Sequence, residues 1–155
     1  MVYEWRKGSR IRADAAQAAQ VMQRLADADQ LNAQALVEVS RPTDAPLHGS
    51  FEWDDTAAAS EWRKHQARHI MGSLVVRTED STEEPVRMFV QIASKGSDYQ
   101  PLELVMRQRD TRQELLDQAL GELTAFRAKY AALTELARVF RAIEETENGG
   151  GDTHD

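Results

Sequence analysis

The 155-residue chain has no cysteine, which excludes a disulfide scaffold, a zinc–thiolate centre and a thiol nucleophile. Aromatic residues make up only 6% of it. It has neither a glycine-rich phosphate loop nor a Gly-x-Ser-x-Gly element. No apolar run approaches the ~18 residues of a membrane-crossing helix. Residues 1–12 are polar, with Arg6, Lys7, Arg10 and Arg12 and no apolar stretch behind them, so no secretory signal is expected. What is present suffices for a core, because 41% of the residues are apolar. The formal net charge is −7, but five of the acids lie in residues 143–155, which hold no Lys or Arg; without them the balance is −2. Residues 146–155, with three consecutive glycines, read as a disordered acidic tail. Chain length predicts a single α+β domain over residues 1–142.

Hydrophobic periodicity supplies the elements. Tyr3 and Trp5 precede a Lys7-Gly8-Ser9 turn and suggest a hairpin or edge strand. Asp14 and Asn32 are caps for two helices, at about 15–28 and 33–39. Residues 41–55 break the pattern with Pro42, Pro46 and Gly49, yet carry Leu47, Phe51 and Trp53. Leaving such side chains wet forfeits about 1.5–3 kcal/mol each, so this loop is expected to fold back on the body. Asp54 or Asp55 then caps a helix over 56–71, in which Ala58 and Ala59 admit a close neighbour and Trp62 closes the core. Strands are expected near 74–78 and 86–93 as an antiparallel pair. In the second strand Val86, Met88, Val90 and Ile92 face inward, opposed by Arg87, Phe89 and Gln91. Pro101 suits the first turn of a short helix through Met106.

The last third predicts one long helix. Thr111 to Glu114 matches a capping box, and apolar residues then recur at spacings of three and four through Phe140. A helix over about 112–145 would be roughly 50 Å long, against a radius of gyration of about 15 Å for a compact domain of this length. Either the distal half meets another chain, which makes Leu116, Leu123, Phe126, Tyr130, Leu133 and Phe140 the candidate interface of a homo-oligomer, a dimer first, or the helix breaks and folds back. The bland reading is that the stripe packs on Met22, Leu25 and the other helices. The fold class expected is mostly helical α+β: N-terminal helices, a small antiparallel sheet and this long helix.

Few constellations carry chemistry. His65 and His69 stand at metal-ligand spacing with Glu61 one turn earlier, but they share a helix face with Ala58 and Trp62. A packed or hydrogen-bonded pair is the expectation, and burial would make the fold acid-sensitive at about pH 5–6. The adjacent carboxylates Asp54/Asp55, Glu83/Glu84 and Glu144/Glu145 diverge in either a helix or a strand, so no pair aims at one substrate. No catalytic residue, metal or cofactor is assigned, and a non-enzymatic protein is expected. Arg6, Lys7, Arg10, Arg12, Arg41, Arg63, Lys64 and Arg68 are the candidate nucleic-acid contacts, because a helix, a turn and a second, basic helix could enter a DNA groove.

The segment Ala45-Pro46-Leu47-His48, then Phe51-Glu52-Trp53-Asp54-Asp55, Ala58-Ala59, Trp62-Arg63, Gln66-Ala67-Arg68 and Ile70, resembles a family of small bacteriophage- and prophage-encoded proteins without assigned activity. The likeness runs from the WRKGSRIRAD stretch to LARVFRAIEE. It implies a phage origin and a cytoplasmic stage in the host cell, with a place in the virion left open. It transfers no catalytic residues. The function expected is a phage-encoded accessory protein, dimeric and DNA-associated or regulatory. The alternatives are a virion or assembly protein working through protein contacts, and a modulator of a host protein, which an acidic surface would suit. No membrane partner is expected.

Overall fold

A computed structural model describes residues 1–54 and 57–149. It is a mostly helical α+β structure in two compact units, Met1–Gln108 and Arg109–Asp155, where chain length suggested one domain over residues 1–142.

In the first unit, strand β1 (Val2–Trp5) leads to helices α1 (Ala15–Asp27) and α2 (Ala33–Ser40). Both caps form as the sequence predicts: Gln17 N donates to Asp14 Oδ1 at 2.8 Å, and Ala35 N to Asn32 Oδ1 at 2.9 Å. Helix α3 (Ala57–Ser73) follows the loop and runs directly into strand β2 (Leu74–Arg77). The expected cap at Asp55 and first residue Thr56 lie outside the described residues. Strand β1 is an edge strand, antiparallel to β2 from Val2↔Arg77 to Trp5↔Leu74. On its other side β2 pairs with β3 (Val86–Arg87) at Val76↔Val86.

The predicted 86–93 strand does not continue on one partner. After Met88 it becomes β4 (Phe89–Gln91), which pairs instead with β5 (Tyr99–Pro101), at Phe89↔Pro101 and Gln91↔Tyr99. Changing partner resets the facing, which is a correction to the alternation read from sequence. Val86 is 55% exposed, whereas Phe89, expected outward, is fully buried beside Leu74 in the core cluster. The short helix α4 (Leu102–Arg107) follows, with Pro101 at its cap.

The core joins Ala18 and Met22 of α1, Leu36 of α2, Ala67, Ile70 and Met71 of α3, and Leu74 and Phe89 from the sheets. The 41–54 loop does fold back: Leu47 and Phe51 are buried, and Trp53 packs against this cluster. Trp53 Nε1 donates to the His48 carbonyl at 2.8 Å, and its ring stacks on His48 at 5.0 Å.

The second unit overturns the single long helix. Helix α5 (Arg109–Lys129) ends in a turn, a single 3-10 turn follows at Thr134–Leu136, and α6 (Ala137–Gly149) packs beside α5. The turn closes through Tyr130 N to Phe126 O at 3.1 Å and Leu133 N to Tyr130 O at 2.9 Å. Folding double lets Phe126 meet Phe140, with centroids 6.4 Å apart, and Arg127 meet Glu144 at 3.2 Å. A straight helix would hold those residues some 20 Å apart. Helix α5 also starts two residues before Thr111, so Thr111 lies inside the helix and does not open it. Of the expected 146–155 tail, Thr146 to Gly149 are helical, and residues 150–155 lie outside the described residues.

Candidate nucleic-acid interface

Residues 6–13 form a strap between β1 and α1, fastened along its length. Arg6 N donates to the Ser73 carbonyl at 2.7 Å, and Ser9 N to the Arg6 carbonyl at 3.0 Å. Trp5 Nε1 donates to the Ala13 carbonyl at 2.6 Å. The turn needs Gly8 at φ +85°, a conformation that suits glycine. Arg10 takes φ +59°, which is uncommon for a residue with a Cβ and is held here by the surrounding bonds.

Helix α3 supplies the facing wall. Trp62, His65, Gln66 and His69 stand at i, i+3, i+4 and i+7, and so share one face. His69 Nε2 lies 2.9 Å from the Ser9 carbonyl. A carbonyl can only accept, so this nitrogen carries the proton. The bond ties the helix to the strap. Between them lies a groove of about 520 Å³, lined by Ser9, Arg10, Ile11 and Arg12 from the strap, Gly49 and Ser50 from the loop, and Trp62, His65, Gln66, His69 and Ile70 from α3. None of these lining residues is a carboxylate, in a chain whose acids outnumber its Lys and Arg by 26 to 19. Trp62 is 52% exposed, and its ring lies on that of His65 at 5.3 Å and 23°. This corrects the expectation that Trp62 closes the core.

The eight predicted basic contacts part company. Arg10 and Arg12 line the groove, and Arg6 and Lys7 are exposed on the same strap. Arg63 is buried, donating to the Glu52 and Asp54 carbonyls at 3.2 and 3.3 Å with its guanidinium over Trp53 at 5.6 Å. It holds the loop to α3 and cannot reach a ligand as the sequence reading required. Arg41 covers the same indole at 5.3 Å and bonds Glu38, whose carboxyl it holds below the usual range. Lys64 pairs with Glu61 at 3.0 Å, and with Arg68 it lines a smaller hollow beside Tyr99. Successive helical residues advance by about 100°, which places Lys64 and Arg68 well away from the Trp62 face.

His65 and His69 are both exposed, so the burial on which acid sensitivity was premised is absent. Among the described residues, no group of three His, Asp or Glu side chains is arranged to hold a metal ion. Gln66, which accepts from Glu52 N at 3.1 Å, and Ser9 read from sequence only as parts of a motif and a turn, not as site residues. The signal available was the face itself: Trp, His, Gln and His at helical spacing, with only Ala58 to represent a core.

Compared with known protein families, curated proteins and solved structures, the chain matches none.

In the second unit, Leu116, Leu123 and Phe126 are 40–47% exposed, and no side chain of α5 is buried. Polar contacts join α5 to α6: Thr124 Oγ1 donates to Glu147, and Arg127 pairs with Glu144 and Glu147. The stripe of Leu116, Ala119, Leu123, Phe126 and Tyr130 lies about a quarter-turn round the helix from these residues. Phe126 touches Tyr130 at 4.9 Å as well as Phe140, and Leu116 shares a hollow with Thr146 and Glu147 of α6. Leu133, at the turn, is also exposed. Among the described residues, no helix is long and apolar enough to cross a membrane.

Proposed function

We propose that this chain is a phage-encoded, non-enzymatic accessory protein that contacts nucleic acid through the strap–α3 groove. The observation that carries the reading is the groove's lining: two arginines, two histidines and an exposed indole, with no carboxylate among the lining residues. Phosphates need cations or N–H donors, and bases need a flat apolar surface. The groove offers both within about 520 Å³, a size ordinary for ligand sites. Its local charge runs against the chain's overall balance, which favours a polyanion there over the acidic remainder of the surface. The phage origin rests on the resemblance carried by the Pro46–Ile70 motif. A mobility-shift titration tests the reading. Binding is expected at about 50 mM salt and should weaken markedly by about 200 mM. Absent binding at low salt, or binding insensitive to salt, overturns it.

A second reading, self-association in an assembly role, draws on the α5 stripe. Its spacing of three and four is that of a helix–helix seam, and a second copy presents the same stripe. Unit charges on residues 109–149, six basic and eight acidic, nearly balance, so two copies can meet without strong repulsion. Light scattering over a concentration series is expected to show a dimer that Leu123→Asp dissociates while helix content is kept. Wild-type protein that stays monomeric throughout overturns it.

A further inference from the structure

We infer that the groove takes an unpaired nucleotide of a single strand, with its base stacked on Trp62 and its phosphates at Arg10 and Arg12. This rests on the nucleic-acid reading and narrows it to one ligand class.

Three observations lead there. The first is the attitude of Trp62. Its ring is backed on one side by His65 at 5.3 Å, nearly parallel, yet half its surface stays open. An open indole face braced from behind is a platform for another flat ring. In a duplex both faces of each interior base are already covered by neighbours, so a side chain entering a groove meets base edges and not faces. Only an unpaired or splayed base can lie on such a platform.

The second is the shape of the wall. Reading a duplex requires a helix that projects into the major groove, which is about 12 Å wide. Here the aromatic face of α3 looks into a recess closed on the opposite side by the strap, to which His69 is bonded. Of the α3 cations that would serve a projecting helix, Arg63 is buried, Lys64 is paired with Glu61, and Arg68, though exposed, lines the separate hollow beside Tyr99.

The third is the order of the cations. Arg10 and Arg12 stand two residues apart on a strap held by main-chain bonds, and Arg6 and Lys7 come before them on the same segment, exposed but outside the groove's lining. Two cations on one wall of the groove suit successive phosphates of a backbone more than one isolated anion. His69 spends its Nε2 proton on Ser9, and so acts as a brace and not as a phosphate donor through that atom.

The test uses the full chain and its tryptophan fluorescence. Trp5 and Trp53 are only partly exposed and hydrogen-bonded, so quenching by a stacked base reports chiefly on Trp62. A short oligothymidylate at low salt is expected to quench the emission. A duplex of matching length should bind at least about tenfold more weakly, and so should thymidine monophosphate. Trp62→Ala is expected to weaken oligothymidylate binding by about tenfold or more, the usual worth of one base–aromatic stack. Because Trp62 is outside the core cluster, circular dichroism should be unchanged in that variant. Arg12→Gln, which leaves the indole in place, should weaken binding and reduce its salt slope by about one. Equal affinity for duplex, or an unaltered Trp62→Ala variant, overturns the single-strand inference while the broader nucleic-acid reading stands. Thymidine monophosphate binding as tightly as the oligomer replaces the strand with a free nucleotide. No binding of any of the three overturns both readings.

Discussion

Arg63 and Trp62 are neighbours in sequence and opposite in fate. The 100° step between them sends one side chain under the 41–54 loop and leaves the other in the open. Arg63 satisfies two loop carbonyls and covers an indole, and a guanidinium can do this because its N–H groups spread in a plane. Arg63→Leu is expected to lower stability by about 2 kcal/mol in urea titrations, with Arg63→Lys recovering only part of it. Tyr99 gives a pH prediction. Burial holds its hydroxyl above the ordinary value of 10.0, against the opposing pull of Arg68 and Arg87. The unfolded chain therefore ionises first. The stability owed to the neutral phenol is intact below about pH 10 and is lost as pH rises through the folded-state value. Tyr99→Phe should flatten that alkaline decline in the urea midpoint. At this scale the sequence displayed which residues are cationic but not where each goes. Arg10, Arg41 and Arg63 differ only in their backbone surroundings, and those depend on contacts distant along the chain.

Elements whose ends are set by adjacent residues were legible. Asp14 and Asn32 cap α1 and α2 because each side chain reaches an N–H three residues on, a relation visible in the string itself. Asn32 does more, since its Nδ2 donates to Asp98 Oδ1 at 2.9 Å and links α2 to the loop before β5. Asn32→Asp keeps the cap but places two carboxylates together, whereas Asn32→Ala loses both bonds. Both are expected to destabilise, Asn32→Ala by about 1 kcal/mol or more, as chemical denaturation can measure. One local signature failed, the capping box at Thr111, which lies inside α5; the other failures were elements whose limits are set from afar. The strand from Val86 to Ile92 has one alternation on paper, but β4 leaves β2 for β5, and Phe89 turns inward. The long C-terminal helix has no glycine or proline at its break. Residues 130–133 turn because doing so brings Phe140 to Phe126 and Glu144 to Arg127, gains that no local propensity records.

The whole molecule is two units with unequal means of staying folded. Met1–Gln108 has a contiguous core drawn from three helices and both sheets. In the second unit α5 buries no side chain, so its stability leans on helix propensity, surface pairs and whatever covers the apolar stripe. Calorimetry is expected to resolve two transitions, with the hairpin melting first. Its midpoint should rise with protein concentration if a second copy covers the stripe, since association stabilises by mass action. A single, concentration-independent transition would contradict the separation. The first strand bears on how the molecule is made. Val2 pairs with Arg77, and the groove stands between residues 9–12 and α3. During translation the amino-terminal residues must therefore wait, unpaired, until β2 leaves the ribosome. Those waiting residues include Arg6, Lys7, Arg10 and Arg12, so the groove cannot close until about half of the chain has been made.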